Sequence, residues 1–451
     1  MKILSFTVIS AFMVSSSLFG VTLSPSSTNN SLIIYNSNIG LVHEQRELTL
    51  EKDETQIIYE DVASSINTDS VNVNLPSEIS LQSQQYKFDK LTQRKLLDAH
   101  IGKMIDVRVE DNAKNYKTVQ AELLSNDGMN SIVRTDDKII ISVVNKNIIF
   151  KSIPEELITK PSLVWNVTAQ EDVNAQMSID YLINNISWKS NYILNLKEDK
   201  ADLTGWINID NRSGKSFENT NLHVLAGDIN RATNPRINYR VAKSMAIMDA
   251  ASVSHQAHEG YHFYTIPFKA NIANNEKTQV KFISQTNLHV ERKYTSRMSN
   301  PNHLKGERKH SVLQLIELKS LNIPLPQGVV RTYLKYKNTK ILLGETRVKH
   351  TPSKTPLSFK VGKNFDVKVK ETLEKFDDGK WSTNVDVLYT LKNSSQETKI
   401  VEILVPFNKN DGSKVKSSQE FTYTQGNLVT FHIEVKANKS KEFKVHFKTK
   451  K

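Results

Sequence analysis

The stretch HQAHEGYH sets His255, His258, Glu259 and His262 within eight residues. Imidazole and carboxylate are zinc ligands, and a zinc site needs three or four of them to converge. On an extended chain His258 and His262 share a face, while His255 lies on the other and too far along. No second cluster supplies the missing ligand or the outer groups that would orient one. The stretch reads as a loop entering the apolar strand YHFYTIPF, with no metal and no cofactor expected.

Other constellations are weaker. AGDIN, 226–230, lacks the serine of a nucleophile elbow, and no parallel α/β pattern surrounds it. Gly227 and Asp228 read as a strand end with a bend and an Asx-turn. Glu371, Glu374, Asp377 and Asp378 could supply the paired carboxylates of glycoside hydrolysis. They flank a hairpin turn and read as solvated acids. No residue is assigned a catalytic role. KGERKH, 305–310, is the densest basic cluster, with Arg292, Lys293 and Arg297 just upstream. Arg292, Lys293, Arg308 and Lys309 are candidate contacts for anionic lipid or polysaccharide, against the plainer reading of a solvated loop.

Trp206, in ADLTGWINIDNRSG, is the candidate ligand-binding aromatic. It shares parity with Asp202, Thr204, Asn208 and Asp210, whereas Leu203, Ile207 and Ile209 take the other face. Alternation alone exposes it. Gly205 tempers this, because a strand glycine often marks a bulge, and a bulge switches parity. Trp188 and Tyr192 on the preceding strand offer neighbours across the hairpin. Core or half-buried packing is therefore expected.

The elements that must position these residues are strands. Ile186, Trp188, Tyr192, Leu194 and Leu196 mostly alternate with polar residues. So do Val385, Val387, Tyr389 and Leu391, then Val429, Phe431, Ile433 and Val435. Period two with one polar face implies antiparallel sheets, and turn signals such as 211–214, 377–379 and 410–412 bound the runs. The expected fold is all-β and multidomain: antiparallel β-sandwiches, a small β-barrel-like module and one short helix. That helix lies in KFDKLTQRKLLDAHIGK, with Thr92 as N-cap and Gly102 past its end.

The chain has 451 residues, 38% of them hydrophobic, which suits several packed cores. Its net charge of +12 is spread through the strands. No clustered stripe or motif for nucleic acid accompanies it. Residues 1–20 read as a signal peptide: Lys2, an apolar run from Ile3 to Val14, then small residues, with cleavage expected between Ser17 and Ser24. Cysteine is absent, so no disulfide and no thiol chemistry is available. No later segment reaches the length of a membrane-spanning helix. An outer-membrane barrel is not expected, because many strands are too short or too charged.

The coarse map places an N-terminal β-module at 28–85, helix and small barrel at 86–155, and a central β-domain at 160–355 with a long loop at 230–258. A Pro-rich linker, HTPSKTP at 350–356, precedes an immunoglobulin-like sandwich at 362–451.

LVWNVTAQ, the run from YLINNISWKSNYILNLKEDK to HVLAGDIN, and EGYHFYTIPF resemble a bacterial exported family of unknown function that includes mucoidy-inhibitor-A-like proteins. LIIYNSNIGLVHEQREL, YKFDKLTQRKLLDAHIGK and NLVTFHIEVKANKSKEFKVHF resemble it too. The mucoidy-inhibitor type carries a long coiled coil where this chain has the barrel-like segment. The resemblance implies an exported, mostly β protein and no established reaction. The expectation is a periplasmic or surface-associated protein of a Gram-negative envelope, not integral to the membrane, with a binding or structural role. Envelope polysaccharide, an anionic lipid surface or another envelope protein would be its partner. A hydrolase with its site in an inter-domain cleft is the rival.

Overall fold

A computed structural model of the chain describes residues 20–110, 116–136, 138–154, 156–226, 255–258, 261–319, 321–409 and 412–451. The expected export signal, except Gly20, and most of the loop expected at 230–258 lie outside them. Strand makes up 66% of the structure and helix 4%, so the fold is all-β. The alternation is realised directly: Val385, Val387, Tyr389 and Leu391 are fully buried, and the residues between them are half-buried. Successive side chains leave opposite faces of a strand.

Hydrogen bonding crosses the divisions drawn from sequence. The Ser162–Ala169 strand pairs with Gln56–Glu60 on one side and Ile79–Lys87 on the other. Val173–Asn184 pairs with Ile39–Leu50 along its whole length. The N-terminal strands therefore share one core with strands of the 162–226 segment, with Leu32, Val42, Trp165, Tyr181 and Leu222 inside it, while Tyr192, Leu194 and Leu203 belong to a second.

The helix-bearing module is an insertion into that unit. It departs after Lys87 and rejoins at Ser162, which are paired neighbours, and Asp89 N–H donates to Ile158 O at 2.7 Å across its base. Leu97, Ile105, Val107, Leu123 and Val133 form its separate core. The helix is Gln93–Asp98, and Thr92 Oγ1 caps it by accepting from Lys95 N–H at 3.3 Å. Gly102 follows at φ 78°. A 3-10 turn at Asn145–Asn147 brings Ile148–Ile149 back beside Met104–Glu110, so the five-stranded sheet curls like a small barrel.

Two strands of 22 residues each stitch the remaining units together. At roughly 3.3 Å per residue each is about 70 Å long, more than one sandwich can cover. Glu276–Arg297 gives Val280 to the first core, Ile283 and Val290 to a second, and Tyr294 to a third. Leu357–Asp378 gives Phe359 to the second and Val369 to the third. HTPSKTP is not a free tether: Thr351 and Leu325 exchange backbone hydrogen bonds of 2.8 and 2.9 Å.

Asn211 and Asn393 close two equivalent corners. Asn211 Nδ2 donates to the carbonyls of Lys215, Ile272 and Ala273, and its Oδ1 accepts from the N–H and hydroxyl of Ser213. Asn393 Nδ2 donates to the carbonyls of Glu397, Val435 and Lys436, and its Oδ1 accepts from the N–H and hydroxyl of Ser395. After each corner the chain pairs in parallel with an earlier strand. N-R-S at 211–213 and N-S-S at 393–395 thus make the same set of bonds, each before a strand that pairs in parallel with an earlier one.

Candidate functional site

In the Ile39–Leu50 strand the inward parity runs Val42, Glu44, Arg46, Leu48, Leu50, and all five are buried. Two opposite charges thus stand in an apolar row. Glu44 Oε2 accepts from Arg46 Nη2 at 3.0 Å and from the Tyr59 hydroxyl at 2.7 Å. Glu44 Oε1 meets Lys215 Nζ at 2.9 Å. The same ammonium donates to the carbonyl oxygen of Asp61 and lies 3.2 Å from its carboxylate. The Arg46 guanidinium sits 3.6 Å from the centroid of the Tyr59 ring, and its Nη1 donates to Glu60 O at 2.8 Å.

Buried charges are tolerated only when paired and hydrogen-bonded. Burial alone would raise the Glu44 pKa. The charges of Lys215 and Arg46, with hydrogen bonds from Tyr59 and Lys215, outweigh it and hold the carboxyl below its ordinary value. Burial, then the Glu44 charge, pushes the Tyr59 phenol far up. Among the described residues, Arg46 Nε and the Tyr181 hydroxyl are buried without a hydrogen-bond partner.

Glu44, Asp61 and Lys215 form the floor of an open cleft of about 590 Å3. Ser26, Thr28, Asn29, Ser216, Asn219 and Asn274 give its walls a polar lining. The corner at Asn211–Lys215 aims Lys215 downward. Chemically the buried pair in the floor, Glu44 and Lys215, is saturated. Both Glu44 oxygens are occupied, and the Lys215 ammonium has three acceptors for its three hydrogens. Neither group is free to abstract or deliver a proton, so a ligand would meet the hydroxyls and amides of the walls.

A second buried carboxylate corrects the sequence reading. Glu371, expected as a solvated hairpin acid, is wholly buried. Its Oε1 lies 2.7 Å from His310 Nε2, and Ser299 N–H donates to both oxygens at 3.2 and 3.3 Å. Glu374, Asp377 and Asp378 are exposed, as expected.

The basic candidates lie on strands, not in a loop. Lys309 and Arg308 are exposed in Glu307–Leu318, opposite Lys370 and Glu371. Arg308 donates to Ser299 Oγ. Lys293 bonds Glu317 at 2.7 Å, and Arg292 donates to Lys197 O. Arg292 and Lys293 lie level with Ile316 and Leu315, about 23 Å along the strand from Arg308. The four cations do not converge.

His255–His258 and Tyr261–Thr265 are antiparallel strand partners. His255 lies level with Tyr264, Ala257 with His262 and His258 with Tyr261, so the register sets 258 and 262 on opposite faces. Glu259 is outside the described residues, as are Gly227 and Asp228. His262 is half-buried and stacks on His350 at 6.3 Å between ring centres. Among the described residues no group of three His, Cys, Asp or Glu is arranged to hold a metal.

Trp206 is half-buried on the wet face, level with Asn191 and Lys281. The half-burial is as expected, but Trp188 and Tyr192 are buried on the opposite face and are not its neighbours across the hairpin. The bulge that Gly205 suggested exists, but in the partner strand. Gly205 pairs with Ile283 and Trp206 with Lys281, leaving Phe282 as the extra residue. Parity along Lys200–Asn211 is therefore never switched.

Sequence reasoning missed Glu44, Arg46, Tyr59 and Lys215. The signal for the first two was available, as a carboxylate and a guanidinium on the apolar parity of one strand. Lys215 leaves no such trace, since a corner residue has no pattern to break. No protein-family model matches this chain, and no curated protein matches it.

Proposed function

We propose that the chain is an exported envelope protein that acts by binding or as a structural element, without turning over a substrate. The observation that carries this reading is the saturated pair in the floor of the cleft. The buried Glu44 and Lys215 spend both carboxylate oxygens and all three ammonium hydrogens on their own neighbours, the behaviour of a structural lock. A catalytic acid or base needs a free position facing substrate and a pKa near the working pH. Glu44 is instead held below the ordinary carboxylate value. Export to a Gram-negative periplasm or cell surface is supported by the signal-like residues 1–20. The resemblance to an exported family of unknown function supports it as well. No helix among the described residues is long and apolar enough to cross a membrane.

The test is incubation of the purified protein with an isolated Gram-negative envelope fraction. The expected result is retention of the protein on sedimented envelope material, with no soluble sugar or peptide fragments released. Release of fragments in proportion to added protein would establish the hydrolase instead.

A further inference from the structure

We propose that the hairpin tip between the Leu357–Asp378 and Ser382–Asn393 strands docks the protein onto an anionic lipid surface. In this arrangement Trp381 and Phe376 enter the headgroup layer and the lysines of the same hairpin end meet lipid phosphates. The inference deepens the binding role proposed above by naming the surface and its partner.

The chain has four tryptophans. Trp165 is fully buried, Trp188 is 5% exposed and Trp206 is half-buried. Trp381 is 77% exposed, and Phe376 below it on the same hairpin is 47% exposed. A folded chain gains by burying its largest apolar side chains, so two aromatics left outside at one tip mark a contact surface. The indole suits one environment in particular: its ring prefers the boundary where hydrocarbon meets headgroups.

Charge selects the partner. Lys380 Nζ lies 5.1 Å from the centre of the Trp381 ring. The last strand runs alongside, with Lys450 level with Ser382 and Lys448 level with Asn384. Lys451 N–H donates to Trp381 O at 3.2 Å. Of the acids nearby, Asp378 is engaged by Lys451 at 2.8 Å and by the Thr383 hydroxyl at 2.7 Å. That leaves Lys380, Lys448 and Lys450, all exposed, against Asp377. Exposed aromatics at the tip, with Lys380 beside the indole and Lys448 and Lys450 on the other face of the same hairpin end, match an anionic bilayer entered end-on, where apolar insertion and phosphate attraction add. A glycan-binding aromatic instead lines a groove with hydrogen-bonding partners, whereas Trp381 stands 77% exposed at a hairpin end. The overall charge of +12 adds long-range attraction to the same surface.

The experiment is co-sedimentation of the full chain with vesicles of phosphatidylethanolamine and phosphatidylglycerol, and with vesicles of phosphatidylcholine alone. Wild type and Trp381→Ala are compared directly, so any contribution of the apolar N-terminal residues is common to both. The expected result is binding to the anionic vesicles that weakens with salt. Trp381→Ala should lower the partition coefficient about tenfold, the scale of one interfacial aromatic. Lys380→Gln should lower it a few-fold. Brominated lipid should quench wild-type tryptophan emission, and Trp381→Phe should abolish that quenching. Equal binding by wild type and Trp381→Ala overturns the proposal. So does a Trp381-dependent interaction with purified envelope glycan and none with vesicles, or a self-association that Trp381→Ala dissolves while vesicle binding is absent. The vesicle assay is independent of export, so its failure leaves the broader envelope reading to its own test.

Discussion

Glu44 and Lys215 meet at 2.9 Å, each less than a tenth exposed, although one lies in an N-terminal strand and the other in a corner far along the chain. The pair ties that corner to the first core. Removing one member of a buried pair strands the other charge, and such losses run to about 3–5 kcal/mol. Lys215→Met is expected to cost that much in chemical denaturation. A loss within error of zero would mean that the cleft hydrates Glu44 well enough to replace the ammonium.

The same carboxylate sets an acid limit on stability. Its folded pKa is lowered, so its contribution is fully present above the ordinary value of 4.5 and is lost as pH falls through the folded value. Wild type should therefore lose stability in acid. Glu44→Gln, destabilised at neutral pH, should lose less, because it has no carboxylate to protonate. Melting curves across that range check this: the gap between the two proteins should narrow as pH falls, and a constant gap refutes it.

What was legible from sequence follows from which interactions are local. Strand alternation and the Thr92 cap depend on neighbours a few residues away, and both are realised. The Glu44–Arg46 pair was written on one strand's apolar parity, but naming its partners needed Tyr59 and Lys215, which only the fold brings together. Trp206 shows the converse. Its parity gave the wet face correctly, and the argument for moving it inward relied on a bulge that occurs in the opposite strand, at Phe282. The share of Tyr294 in the third core could not be read at all, because nothing local announces that one strand will serve three cores.

Two neighbouring substitutions separate the two faces of the Lys200–Asn211 strand. A Cβ at Gly205 would lie 2.9 Å from Ile283 Cβ and 2.9 Å from a ring carbon of Phe282. Gly205→Ala should thus cost about 1–3 kcal/mol through overpacking. Trp206→Ala, on the half-buried wet face, should cost about 1–2 kcal/mol. Trp188→Ala, in the core, should cost about 3–5 kcal/mol. Denaturation midpoints rank the three, and a Trp206 variant as damaged as the Trp188 variant would show that the wet face is covered.

The paired corners predict matched losses. Asn211 and Asn393 each donate to three carbonyls and accept two bonds from a serine while almost fully buried. Alanine at either position leaves several buried groups without partners, at about 1–3 kcal/mol for each one that water cannot reach. Asn211→Ala and Asn393→Ala should therefore destabilise the protein by similar amounts. A marked inequality in denaturation would mean that only one corner supports its sandwich.

The last prediction concerns the C-terminal unit. Sequence composition suggests that residues 362–451 fold alone, since about 90 residues can make an immunoglobulin-like sandwich. The third core, however, also contains Tyr294, Met298, Leu304 and Val312. Lys399–Pro406 pairs in parallel with Tyr294–Arg297 through positions 401–404, and Glu307–Leu318 supplies the neighbour of Leu357–Asp378. Cutting at 362 removes all of these. It opens two strand edges and exposes Val401, Ile403 and Val369 to water, a large loss for a small domain that is only marginally stable. Fragment 362–451 is expected to show no cooperative thermal transition and to aggregate. Fragment 290–451, which restores the missing strands, is expected to melt cooperatively. Near-ultraviolet circular dichroism during heating decides it: a native-like signal and sharp melting from 362–451 alone would show that the borrowed strands are dispensable.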